Sequence, residues 1–164
     1  MDFEKYSLEE IFLAALRSET DSKKVYVELG KAVKNQYLKD KILFLADEEE
    51  KHFNAISDLF RKQFPKKKPK VPARSPVPLP ELKAPEEGTP LSVVIESAMK
   101  AEEAAKEFYE AFAGRFPPRS DEHKLLLYFS NMELGHYKLL ENEKHMMFRD
   151  EYFDTEWPMM HAGP

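Results

Sequence analysis

Apolar residues recur along four stretches of the chain at spacings that alternate between four and three, as expected for one face of an α-helix. The first seam holds Leu8, Phe12, Ala15, Tyr26, Leu29 and Val33, and the second Leu38, Ile42, Leu45, Ile56 and Leu59. The third holds Leu91, Ile95, Ala98, Tyr109 and Phe112, and the fourth Leu126, Phe129, Leu140 and Met147. Each seam is broken near its middle by polar residues: Glu19 in the first, Glu49 and His52 in the second, Glu102 in the third, Glu133 and His136 in the fourth. The pattern predicts helices over about 7–34, 36–64, 90–113 and 120–152. Ser7-Leu8-Glu9-Glu10 reads as a capping box opening the first. Pro65 ends the second, and Thr89-Pro90 is expected to open the third, with Thr89 as N-cap and Pro90 as first helical residue. Glu143 is also polar at a seam position and receives no role.

The links between these stretches set the topology. The first two helices are nearly contiguous, and a turn over Gly114 to Ser120 joins the last two, so each pair forms an antiparallel hairpin. Residues 65–89 are proline-rich and carry the run Lys66-Lys67-Lys68-Pro69-Lys70, a composition that suits neither helix nor buried strand. Extended at about 3.1 Å per residue, roughly 25 residues can span a helix of about 40 Å. The expected fold is therefore all-α: a ferritin-like four-helix bundle with one long crossover between helices 2 and 3, forming a single domain over 1–164. The lysines are read as a solvated part of the crossover. The tail, 153–164, with Trp157-Pro158-Met159-Met160, is expected to pack on the bundle or on a second subunit.

Composition narrows the functions. With 42% hydrophobic and 34% charged residues the 164-residue chain suits a folded helical domain, and its net charge of -5 argues against nucleic-acid binding. It contains no cysteine, which excludes disulfides, thiolate zinc sites and iron–sulfur clusters. No apolar run is long enough for a membrane span and no signal-peptide pattern is present, so a cytoplasmic location is expected.

The two halves repeat. Ala15-Leu16-Arg17-Ser18-Glu19 followed by Tyr26 matches Ala98-Met99-Lys100-Ala101-Glu102 followed by Tyr109, and Glu49-Glu50-Lys51-His52 matches Glu133-Leu134-Gly135-His136. Such self-similarity predicts two hairpins related by a pseudo-two-fold axis. It also brings four acids and two histidines to the middle of one core. Burying unpaired charge is costly, and four clustered carboxylates repel one another. Glu and His donors suit iron, manganese or zinc. Four carboxylates and two neutral imidazoles sum to a charge that two divalent ions would cancel. A dinuclear metal site of Glu19, Glu49, His52, Glu102, Glu133 and His136 is therefore expected, and it should stabilise the fold. Tyr26 and Tyr109, on the same seams, read either as hydrogen-bond donors to the ligands or as core aromatics. Ser22 and Ala105 read either as space beside the metals for O2 or peroxide, or as small residues that let helices approach. His123, His145 and His161 lie off the ligand pattern.

The order Glu19, Glu49-x-x-His52, Glu102, Glu133-x-x-His136 resembles the ligand set of ferritin-like di-iron carboxylate proteins. Leu-Ala-Asp-Glu-Glu-Glu-Lys-His and Ala-Glu-Glu-Ala-Ala-Lys-Glu-Phe-Tyr around the ligands most resemble rubrerythrins, over roughly residues 7–150. The resemblance implies two irons, with Glu19 and His52 terminal on one, Glu102 and His136 terminal on the other, and Glu49 and Glu133 bridging. It implies two-electron reduction of peroxide, and a homodimer is expected. Two features depart from the family pattern. No cysteine is present for a rubredoxin domain, so electrons are expected from a separate donor protein. The second Glu that peroxide-reducing members tend to carry after the helix-3 ligand is replaced by Ala105. A ferroxidase reacting with O2, a dimanganese catalase, a hydroxylase and a non-enzymatic metal-binding bundle are alternatives with the same ligands.

Overall fold

The computed structural model describes residues 3–79 and 89–156, with side chains as far as residue 147. The tail from Trp157 to Met160, whose packing was expected above, lies outside the described residues. Among the described residues four helices form: α1 (Leu8–Ala32), α2 (Gln36–Gln63), α3 (Leu91–Ala113) and α4 (Asp121–Glu156). The fold is the all-α, ferritin-like four-helix arrangement, and no described helix is long and apolar enough to cross a membrane.

The helix ends follow local chemistry. At the start of α1 the Glu10 amide donates to the Ser7 hydroxyl at 3.2 Å, and the Ser7 amide donates to Glu10 Oε2 at 2.8 Å. That is a complete capping box. Asn35 caps α2, its side-chain oxygen accepting from the Leu38 amide at 3.1 Å, and α2 stops one residue before Phe64-Pro65. The start of α3 differs from the expectation. Pro90 itself takes the cap position, with an extended backbone (ψ 136°), and no side chain caps the helix. Thr89 is one residue too early to reach the first turn; instead the Pro90 carbonyl accepts from the amides of Val93 (3.0 Å) and Val94 (3.3 Å). At the other end of the chain, α4 runs to Glu156, past the expected end near residue 152. Nothing breaks it there, because the next proline is Pro158 and no glycine intervenes.

The α1 backbone packs along α2 and that of α3 along α4, while α2 and α4 also approach one another. Between α1 and α3, long side chains close the distance, as where Phe12 and Phe112 meet edge-on with ring centroids 4.9 Å apart. The apolar core is divided in two. One cluster, rich in aromatics, joins Ile11, Phe12 and Leu16 to Ile56, Phe60, Phe108, Phe112 and Leu126. The other joins Tyr26, Leu29, Ile42, Leu45, Ile95, Ala98 and Leu140. The polar breaks in the four seams fall between these clusters, halfway along the bundle.

Glu143, unexplained by the sequence, has its partner here. It is 5% exposed and its carboxylate pairs with the Lys41 ammonium, which reaches across from α2 and lies 4.1 Å from the Tyr37 ring centroid. Removing the lysine would leave the buried acid uncompensated. Lys41→Ala is expected to cost about 1–3 kcal/mol in urea unfolding, and adding Glu143→Leu should recover most of it.

Candidate metal centre

Each helix delivers its polar residues to the same level of the bundle. Glu19 (α1), Glu49 and His52 (α2), Glu102 (α3), and Glu133 and His136 (α4) are all buried, none more than 4% exposed. The Glu-x-x-His spacing places acid and imidazole one turn apart on one face. The six fall into two overlapping groups of four, Glu19-Glu49-His52-Glu133 and Glu49-Glu102-Glu133-His136. Within each group, one candidate ligand atom from every member lies within 4.8 Å of the others. Glu49 and Glu133 belong to both. The His52 and His136 rings face each other, with centroids 5.6 Å apart and planes 23° apart.

Protein partners do not satisfy this cluster. Glu19 Oε2, Glu49 Oε1, both ring nitrogens of His52 and Glu133 Oε1 are buried without a hydrogen bond. His52 Nδ1 is only 3.0 Å from Glu133 Oε1 and 3.5 Å from Glu19 Oε2, so close atoms converge without the alignment of hydrogen bonds. Buried polar atoms are almost always paired. Unpaired carboxylate and imidazole atoms that converge on shared points fit a cation, and the donor set suits iron, manganese or zinc.

The protonation behaviour shows the same demand for positive charge. Burial pushes the Glu49 carboxyl well above the ordinary range, and the charges of Glu133, Glu19 and Glu102 push it further. Burial, then Glu133, raises Glu102 to about 8. Glu133 goes the other way: burial would raise it, but the imidazoles of His136 and His52 hold it well below the usual carboxylate range. Burial opposes protonation of the histidines, yet Glu133, Glu19 and Glu49 drive His52 far upward, while Glu102 and Glu133 take His136 to about 9. In the metal-free protein, protons supply the positive charge that the acids require.

The two tyrosines tie the hairpins together. Tyr26 of α1 donates its hydroxyl to Glu102 of α3, and Tyr109 of α3 donates to Glu19 of α1. Each therefore bonds the acid of the opposite hairpin. The exchange is reciprocal, as a pseudo-two-fold relation between the halves requires. Burial first, and then the adjacent acids, raise both phenols well above their usual range, so both stay protonated and act as donors. Tyr26→Phe is expected to keep the metal stoichiometry, to lower stability by about 1 kcal/mol, and to weaken metal affinity by about tenfold. Metal titration and thermal unfolding of the variant check this. Ser22 and Ala105 lie about one turn beyond Glu19 and Glu102 on α1 and α3. They are half-buried and line a pocket between α1 and α3. Phe129, which the sequence reading did not connect with the site, packs its ring 4.7 Å from that of His52.

The family model for rubrerythrin matches residues 10–144, a span that contains all six clustered residues and all of the four helical seams except Leu8 and Met147. The chain belongs to the rubrerythrin family. Among solved structures, a hypothetical protein from Pyrococcus furiosus is similar, with 31% identity over 91% of this chain and 97% of that one and a TM-score of 0.78. No curated protein matches significantly. Rubrerythrins typically bind iron, and the Glu/His cluster of this family member could hold such a metal.

Proposed function

We propose that this rubrerythrin-family protein is a non-haem di-iron oxidoreductase that reduces peroxide by two electrons, drawn from a separate electron-donor protein. The observation that supports this most strongly is the sharing of Glu49 and Glu133 between two four-residue groups. Two ions with two acids between them match that arrangement, and their charge cancels that of the four carboxylates. Glu19 and His52 would complete one ion's ligands and Glu102 and His136 the other's, with Glu49 and Glu133 bridging. A bound pair of ferrous ions supplies two electrons, which with two protons convert hydrogen peroxide into two molecules of water.

The chain's own residues prepare the site for this. The apolar clusters on either side exclude bulk water and strengthen every charge interaction between them. Tyr26 and Tyr109 each occupy one oxygen of Glu102 and Glu19, which leaves the other oxygen of each acid for a metal. The reductant in this reading is a separate electron-donor protein, in keeping with the lack of cysteine for a thiolate redox centre in these 164 residues.

The test is anaerobic loading with Fe(II), a count of ions per chain, and then mixing with peroxide or O2 while ferric oxo-bridged absorbance is followed. Two irons and faster oxidation by peroxide are expected. Faster reaction with O2, sustained with excess Fe(II) and no electron donor, would make the protein a ferroxidase. Tight binding without either reaction would make it a structural metal-binding bundle.

A further inference from the structure

Along the α1 and α3 seams, the positions that follow the two acids open outward. Ser22 and Ala105 lie about one turn beyond Glu19 and Glu102 and are half-buried, whereas the acids themselves are 3% exposed. Both residues line a pocket of about 380 Å3 between the two helices, roofed by the first part of the crossover, from Ala73 to Leu79. The roof is anchored. Val77 is 1% exposed within the aromatic core cluster, and Arg17 donates from Nη1 to the Pro72 carbonyl at 3.4 Å while its Nε donates to Asp21 at 2.6 Å.

This space far exceeds the needs of the smallest oxidants. A water molecule takes about 30 Å3 of liquid, and hydrogen peroxide or O2 is little larger. Pockets of about 300–1,000 Å3 are those of small organic ligands. The lining is two-sided. Arg17, Arg74 and Asp21 border it with one positive charge in excess, while Ala104 and Leu79 contribute an apolar wall. Arg17 retains guanidinium N–H groups beyond the two committed to Asp21 and Pro72, in the fork geometry that suits a carboxylate.

We propose that this pocket binds an organic hydroperoxide whose organic part carries a carboxylate. The carboxylate pairs with Arg17 and Arg74, the apolar body lies on Ala104 and Leu79, and the peroxide group approaches the acid and histidine cluster through the wall formed by Ser22 and Ala105, since none of the six clustered residues lines the pocket itself. This rests on the peroxide-reducing reading above and names its substrate class. With two ferrous ions held by the six clustered residues, two electrons would be available to break the O–O bond. One proton goes to the alkoxide oxygen and one to the departing hydroxide, giving an alcohol and water.

Cumene hydroperoxide, its para-carboxylate, and the two corresponding alcohols are suitable probes. Equilibrium binding of the alcohols to the full chain, followed by ligand-observed NMR, reads the pocket without any turnover. The carboxylate-bearing alcohol should bind at least about tenfold more tightly than the neutral one, and Arg74→Gln, at an exposed position, should erase most of that preference. Arg17→Gln should do the same, and Ala104→Phe should weaken both probes. With the iron-loaded, reduced protein, the ratio of the carboxylate hydroperoxide's rate to that of hydrogen peroxide should fall in each variant. No saturable binding of either alcohol, or binding that all three variants leave unchanged, overturns the proposal. Charge-selective binding together with inertness towards every peroxide would overturn the peroxidase reading and the substrate role, while leaving the pocket as a binding site for small carboxylates.

Discussion

Glu133→Ala should leave the chain unable to hold a pair of metal ions. Glu133 belongs to both four-residue groups, so its loss removes a ligand from each. It is also the acid closest to both imidazoles, 3.0 Å from His52 Nδ1 and 3.1 Å from His136 Nδ1. Even an outer hydrogen-bond partner of a metal ligand is commonly worth about 10–100-fold in affinity, so a shared direct ligand should cost more than that at both positions. Glu19→Ala gives the contrast. It touches one group only and leaves Glu49, Glu102, Glu133 and His136 complete, so one ion per chain should remain. Anaerobic Fe(II) titration with metal analysis separates these results. Two tightly held irons in Glu133→Ala would sink the bridging assignment. Two irons in Glu19→Ala would sink the assignment of its terminal ligand.

The second large effect is on stability. In the metal-free fold, Glu102 keeps its proton up to about pH 8, against an ordinary value of 4.5, and His136 keeps its proton up to about 9 against 6.5. Between the ordinary and raised values the folded state binds more protons than the unfolded one, so stability falls with rising pH. The contribution of Glu102 is complete below about 4.5 and gone above about 8, and that of His136 is complete below about 6.5 and gone above about 9. Glu133 acts in the opposite sense: its depressed carboxyl stabilises the fold above its ordinary range and loses that contribution only on strong acidification. The metal-free protein should therefore be most stable in mild acid and weaken steadily towards pH 9. Divalent metal displaces the protons, so its benefit should be largest at the alkaline end. At a free concentration near 100 times Kd each bound ion should add about 2.7 kcal/mol, or roughly 5–10 °C in Tm for a chain of this size. Thermal unfolding with and without metal from pH 5 to 9 measures both trends. A metal-free Tm that does not change over that range would contradict the protonation behaviour assigned to the cluster.

The six clustered residues were legible in the sequence because an acid on an apolar seam is itself an anomaly, and because the anomaly recurs in both halves. Helix periodicity alone places Glu19 and Glu102 in the core. The Ser7 capping box was legible too, since both of its partners lie within one turn. What escaped depends on how separate elements meet. No spacing rule says that Tyr26 reaches the acid of the other hairpin, because that follows from which helices stand opposite each other. The pairing of Lys41 with Glu143 joins α2 to α4 across more of the chain than any local pattern spans. The pocket beside Ser22 and Ala105 depends on the path of an irregular crossover, for which composition gives a length and no route. Thr89 was misassigned for a local reason: a proline can hold the cap position as well as the first helical one, and the dipeptide reads the same in both cases.

The division of the core into two apolar clusters has a dynamic consequence. Most helical bundles fray from their ends, where packing is thinnest. Here an apolar cluster stands on either side of the centre, and the polar level between them contains buried atoms without partners. Without metal, backbone amides around Glu19, Glu49, Glu102 and Glu133 should exchange with solvent through openings that leave the two ends intact. Loading the centre then joins two small cooperative units into one, so that a single pair of ions sets whether the bundle opens in parts or as a whole.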